Sequence, residues 1–171
     1  MRHDARHSYW LILLFLWQAC QSPGNRVTDT NADLESLSLS TVNLTDLSGI
    51  PVHWDEYQGK TVFVNFWATW CKPCIAEMPS IQKAADLLQD EPVVFLLASD
   101  ESVEQIDAFQ KKYGFQLSFY QVRNQEELGI MALPTTLIFD KKGKLVLSEM
   151  GGRDWSDESN LQFIRKTIKG S

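Results

Sequence analysis

Residues 60–79 read KTVFVNFWATWCKPCIAEMP, and this stretch limits the possible folds more than any other. Val62, Phe63, Val64, Phe66 and Trp67 form a nearly unbroken apolar run, rich in β-branched and aromatic side chains. A strand with one wet face alternates polar and apolar residues, so this run predicts a central strand buried on both faces, with Trp67 in the core. Cys71 and Cys74 follow, and after them Ile75, Met78, Ile81, Ala85 and Leu88 recur at helical spacing to about Gln89. Pro79 lies inside that helix and is expected to kink it, since it has no N–H and its ring crowds the preceding turn.

The remaining chain repeats the alternation. PVVFLLASD reads as a second buried strand, SVEQIDAFQKKYG as a helix stopped at Gly114, and QLSFYQV as a strand. NQEELGIM is expected to form a short helix. TTLIFDKKGKLVLSEM reads as an antiparallel hairpin turning at Lys142-Gly143. Residues 154–170 supply a last helix with Trp155, Leu161, Ile164 and Ile168 on one stripe. Upstream, TVNLTDLSGIPVHWDEY suggests a hairpin of short strands around Ser48-Gly49. Strands alternating with helices indicate an α/β sheet with helices on both faces.

The N-terminus reads as a targeting segment. Arg2 and Arg6 precede an apolar run from Trp10 to Trp17, shorter than the ~20 residues of a membrane span. Ala19 then stands before Cys20, which resembles a bacterial lipoprotein signal, with cleavage before Cys20 and lipid on its sulfur. Plain signal cleavage, an uncleaved short anchor and an ordinary cytosolic start are the alternatives, and all but the last export the domain. Residues 1–19 are thus expected to be signal, 20–39 the lipidated cysteine with a polar tether, and 40–171 the folded domain. A coil of the tether's length spans on the order of 20–25 Å. The net charge of −6 gives nucleic-acid binding no electrostatic support.

Three cysteines are too few for a disulfide-stapled scaffold. Cys71 ends a strand and opens a helix, where free N–H groups and the helix dipole favour a thiolate. Thiolate is the nucleophile of disulfide exchange, so Cys71 is the attacking residue. Lys72 adds positive charge, and Pro73 suits a first helical turn. Cys74 lies one turn on, within disulfide reach, and is the resolving thiol. A structural disulfide across so short a loop would add little stability. Zinc would need more ligands, and no His or Cys follows Cys74. No metal and no cofactor other than the Cys71–Cys74 disulfide is expected.

VFVNFWATWCKPCIAEMP together with LPTTLIFDKKGKL resembles the thioredoxin superfamily, in particular its exported, membrane-tethered TlpA- and ResA-type oxidoreductases. The likeness covers about Leu39 to Lys169. It implies a thioredoxin fold: a central mixed β-sheet flanked by helices, with an N-terminal β-hairpin and an inserted αβ unit. It implies a cis Leu133-Pro134 bond that, with Trp70 and Pro73, faces an extended partner chain. It implies that Glu77 tunes cysteine ionisation; the alternative is a glutamate favoured at that place by the helix dipole alone. Asn65 stands where thioredoxin has a buried Asp, which leaves proton removal from Cys74 to Glu77 or water. Gly151 either leaves room for a partner backbone or simply ends a strand.

The function so implied is reduction of disulfides in exported proteins, as in cytochrome c maturation, by a monomer that an upstream membrane thiol donor recharges. Two rivals are a thiol peroxidase of the peroxiredoxin type, whose Pro-x-x-x-Thr-x-x-Cys setting WATWCKPC lacks, and a non-catalytic copper- or partner-binding module of the same fold. Copper carriers of that fold use a wider cysteine spacing and a distant histidine.

Overall fold

The computed structural model describes residues 37–170. Cys20, the signal segment and most of the tether lie outside the described residues. Six strands form one sheet: β1 (Leu44–Thr45), β2 (Thr61–Phe66), β3 (Val93–Ser99), β4 (Ser118–Val122), β5 (Thr135–Phe139) and β6 (Leu145–Met150). Three α-helices join or follow them: α1 (Lys72–Leu87), α2 (Val103–Tyr113) and α3 (Glu158–Lys169). The strand order is β1-β4-β3-β2-β5-β6. The central β4-β3-β2 set is parallel, and β1, β5 and β6 run antiparallel to their neighbours.

Every residue of β2 is buried, as its composition requires. Phe63, Trp67, Phe95, Leu97, Phe119 and Ile138 point to one face; Val62, Val64, Phe66, Leu96, Leu137 and Phe139 point to the other. All three α-helices add buried side chains to the first face, including Met78, Ile81, Ile106, Phe109, Leu161 and Ile164. Of the helices expected on both faces, the α-helices all lie on one. The strands β2, β3 and β4 step in one direction across the sheet, so two right-handed crossovers put α1 and α2 on the same side. The opposite face is covered by short pieces: the 3-10 turns Leu39–Thr41 and Trp54–Tyr57, and the segment carrying Leu128 and Ile130.

Two further expectations change. NQEELGIM is a turn rather than a helix: Leu128 N–H donates to Asn124, but Gly129 at φ +71° ends the turn before it propagates. The N-terminal hairpin shrinks to one bridge, Thr45 to Pro51, while β1 itself joins the sheet against β4. Pro51 has no N–H to extend the ladder. Ser38, two residues ahead of the expected start of the domain at residue 40, already bridges Lys144.

The helix ends follow their signals. Ser102 and Gln105 form a reciprocal capping box for α2, and Gly114 closes it in the left-handed region at φ +72°. α1 runs on through Pro79 to Leu87. No helix among the described residues is long and apolar enough to cross a membrane.

Candidate active site

Cys71 is the residue that begins α1. Its backbone is extended, and its Sγ accepts the N–H of Cys74 at 3.3 Å, so the sulfur occupies the capping position. Lys72 and Pro73, the first two helical residues, are exposed. Cys71 and Cys74 are joined as a disulfide with their Cα atoms 5.3 Å apart. Cys74 is fully buried and Cys71 is 3% exposed. Trp70, immediately before them, is 71% exposed. The two tryptophans therefore part as the sequence implies, Trp67 in the core and Trp70 at the surface.

Leu133-Pro134 is a cis peptide. Leu133 packs against the cluster that contains both cysteines. The Pro134 carbonyl is already engaged, accepting the Gly151 N–H at 2.8 Å. Gly151 has φ +96°, a backbone region that glycine enters without steric cost. A Cβ built on the next residue, Gly152, would stand 3.8 Å from the Pro73 carbonyl. The end of β6 thus reaches the turn between the cysteines. An open groove of about 810 Å³ runs along β6, with exposed Met131 and Met150 on its walls.

Behind the cysteines lies a polar network that sequence spacing does not display. Glu77 is 5% exposed. Its Oε1 accepts from Asn65 Nδ2 at 2.8 Å, and its Oε2 accepts from Arg153 N–H at 3.1 Å and Trp155 Nε1 at 3.3 Å. Asn65 Nδ2 also donates to Thr136 Oγ1 at 3.0 Å, while Asn65 Oδ1 has no partner among the described residues. Burial raises the Glu77 carboxyl above its ordinary value; the hydrogen bonds from Arg153, Asn65 and Trp155 oppose this. Ser80 completes the link, donating to the Glu77 and Arg153 carbonyls and accepting the Trp155 N–H. Glu77 therefore ties α1 to β2 and to the segment before α3. Arg153, Trp155, Ser80 and Thr136 are site-supporting residues that the linear sequence did not single out; a buried tryptophan N–H in need of an acceptor was the available hint.

Chemically, the arrangement holds one sulfur at a helix N-terminus and a second within bonding reach beneath it. That is the requirement for thiol–disulfide exchange: a stabilised attacking thiolate and an internal thiol to displace the partner. Among the described residues no group of three or more His, Cys, Asp or Glu is placed to hold a metal.

Comparison with known proteins agrees with this chemistry. The Redoxin family model matches residues 22–163. A thiol-disulfide oxidoreductase ResA of Bacillus thuringiensis is 33% identical over 127 residues, covering 72% of each chain. One of Geobacillus kaustophilus is 34% identical over 127 residues, 71% of this chain and 73% of its own. Among solved structures, a thioredoxin described as putative from Neisseria meningitidis matches with TM-score 0.66 at 24% identity, covering 78% of this chain and 92% of that one. The exposed lipoprotein thioredoxin of Streptococcus pneumoniae matches with TM-score 0.58 at 25% identity, covering 75% and 98%.

Proposed function

We propose a function on the premise that the chain belongs to the Redoxin family, in the ResA-like branch of the thioredoxin superfamily: as an exported, membrane-tethered protein it reduces disulfides in partner proteins. That it is a thiol–disulfide oxidoreductase follows from the family and the Cys71–Cys74 disulfide. The observation that supports exchange with a partner polypeptide is the placing of Cys71 Sγ at the N-terminus of α1, over a fully buried Cys74 and beside an exposed Trp70.

In the reduced protein the Cys71 thiolate attacks one sulfur of a partner disulfide. A mixed disulfide forms and the first partner thiolate leaves. The Cys74 thiolate then attacks Cys71 Sγ, closing the internal disulfide and releasing the second partner thiol. Two electrons pass to the partner, and an upstream dithiol donor returns two to the Cys71–Cys74 pair. Exposed Trp70 and Pro73 form the docking rim over half-buried Leu133 and buried Pro134, and exposed Met131 and Met150 add apolar surface suited to a polypeptide. Cytochrome c maturation is the process in which the reductant reading places it, and a lipid on Cys20 is its tether.

Trapping tests the reading. The Cys74→Ser chain should accumulate dithiothreitol-sensitive adducts with membrane or exported proteins, and the Cys71→Ser chain should not. Adducts on Cys71→Ser alone would reverse the assigned roles. Incorporation of a labelled fatty acid, lost on Cys20→Ser, tests the tether separately.

A further inference from the structure

The loop between β2 and α1 has to place Cys71, and its geometry is held from outside. Cys71 N–H donates to the Ala68 carbonyl at 3.1 Å, closing a turn with Thr69 and Trp70 at its centre. A turn of this kind leaves the N–H of its second residue unpaired. Here that residue is Thr69, and Glu101 takes it: Thr69 N–H donates to Glu101 Oε2 at 2.6 Å and Thr69 Oγ1 donates to Glu101 Oε1 at 2.7 Å. Both carboxylate oxygens are thus spent on one residue of the turn, and hydrogen bonds to such a group are short and strong.

Glu101 is itself fixed. It lies just past the end of β3, where Ser99 is fully buried. Ser99 Oγ donates to Glu101 Oε2 and accepts the Glu101 N–H, both at 3.3 Å. Gln121 Nε2, on β4, donates to the Glu101 carbonyl at 2.9 Å. A chain of contacts therefore runs from β4 and β3 through Glu101 to Thr69 and on to Cys71. In the oxidised protein the disulfide also restrains Cys71. On reduction that restraint is lost, and on the N-terminal side of Cys71 the turn with its Glu101 clamp remains, while Ile75 N–H holds the Cys71 carbonyl at 3.1 Å from the helix side.

We infer that Glu101 is a positioning residue for the exchange reaction, holding the Ala68–Cys71 turn so that Cys71 Sγ stays at the N-terminus of α1 after the disulfide opens. The inference rests on exchange chemistry at Cys71 and not on the reducing direction proposed above. The distinction from a plain charge effect is one of sign. A released turn removes helix N-terminal stabilisation and raises the Cys71 thiol pKa, whereas loss of a nearby negative charge would lower it.

The test is the pH dependence of Cys71 alkylation by iodoacetamide in the reduced full chain, for Glu101→Ala, Thr69→Val and the double variant, with Cys74→Ser as common background. The expected result is an upward shift in the apparent Cys71 pKa, with about 2- to 10-fold slower alkylation below it. The double variant should shift no further than Glu101→Ala, because Thr69→Val removes only the Oγ1 bond of the same clamp and keeps the N–H bond to Oε2. Thr69→Val keeps the carboxylate and reads the clamp even where Glu101→Ala folds poorly. Profiles that coincide with the parent, with only the melting temperature lowered, would make Glu101 structural and overturn the inference. A downward shift in Glu101→Ala with none in Thr69→Val would overturn it in favour of a charge effect. Loss of disulfide-exchange activity in the chain with both native cysteines would instead count against the proposed function, and leaves the alkylation result readable.

Discussion

Asn65 Nδ2 stands 2.8 Å from Glu77 Oε1, so the middle of the central strand and the second turn of the cysteine-bearing helix share a buried hydrogen bond. The same carboxylate reaches Arg153 N–H and Trp155 Nε1 through its other oxygen. One side chain thereby joins three parts of the chain directly behind the disulfide. Its environment opposes the charged form, because burial outweighs the donors.

Stability should therefore depend on pH through Glu77, falling as pH rises. Its folded pKa is raised above the ordinary value of 4.5, so the native state holds its proton where the unfolded chain has lost it. The stabilisation is complete below about pH 4.5 and fades as pH rises through the higher folded value. Urea unfolding at several pH values across this window should show stability falling with pH in the parent. In Glu77→Gln that slope should be smaller, with an overall cost of about 1–3 kcal/mol from mispaired buried donors.

Trp155 contributes both packing and a donor, and substitutions separate them. It is 1% exposed and meets Phe63 edge-on at 4.8 Å between centroids. Trp155→Ala should cost about 3–5 kcal/mol. Trp155→Phe keeps most of the packing and loses the bond to Glu77, for about 1 kcal/mol with some added cost from volume. Equal losses in thermal or urea melts of the two variants would show that the indole N–H, not the packing, dominates.

Trp70 should behave in the opposite way. At 71% exposure it adds little to the core, so Trp70→Ala should change stability by less than about 0.5 kcal/mol. Reduction of a protein disulfide should slow several-fold, while reduction of a small aromatic disulfide reagent changes less, since only the large substrate needs the rim. Parallel kcat/KM measurements on both substrates check this. An equal fall on both would place Trp70 in the chemistry rather than in docking.

Much of this was readable locally. The burial of Val62, Phe63 and Val64, the helix start at Cys71-Lys72-Pro73, the stop at Gly114 and the turn at Lys142-Gly143 are short-range signals, and each element stands where its residues place it. What was not readable depends on distant pairing. Glu77 and Trp155 are 78 residues apart, and Thr69 and Glu101 are 32 apart. Neither spacing marks a contact; only strand order creates it. The same cause lies behind the three helices on one face, which follow from β2, β3 and β4 stepping in one direction. At NQEELGIM the helical composition was real, but Gly129 and the burial of Leu128 and Ile130 favour a turn.

As a reductant, the Cys71–Cys74 pair must have a low reduction potential, and that potential is the quantity to measure. The chain is equilibrated in dithiothreitol or glutathione buffers and the thiol fraction is fixed by alkylation. A potential near or below about −270 mV is the result expected, since such a dithiol reduces exported disulfides. A potential near about −120 mV would contradict it and make the protein an oxidant that installs disulfides.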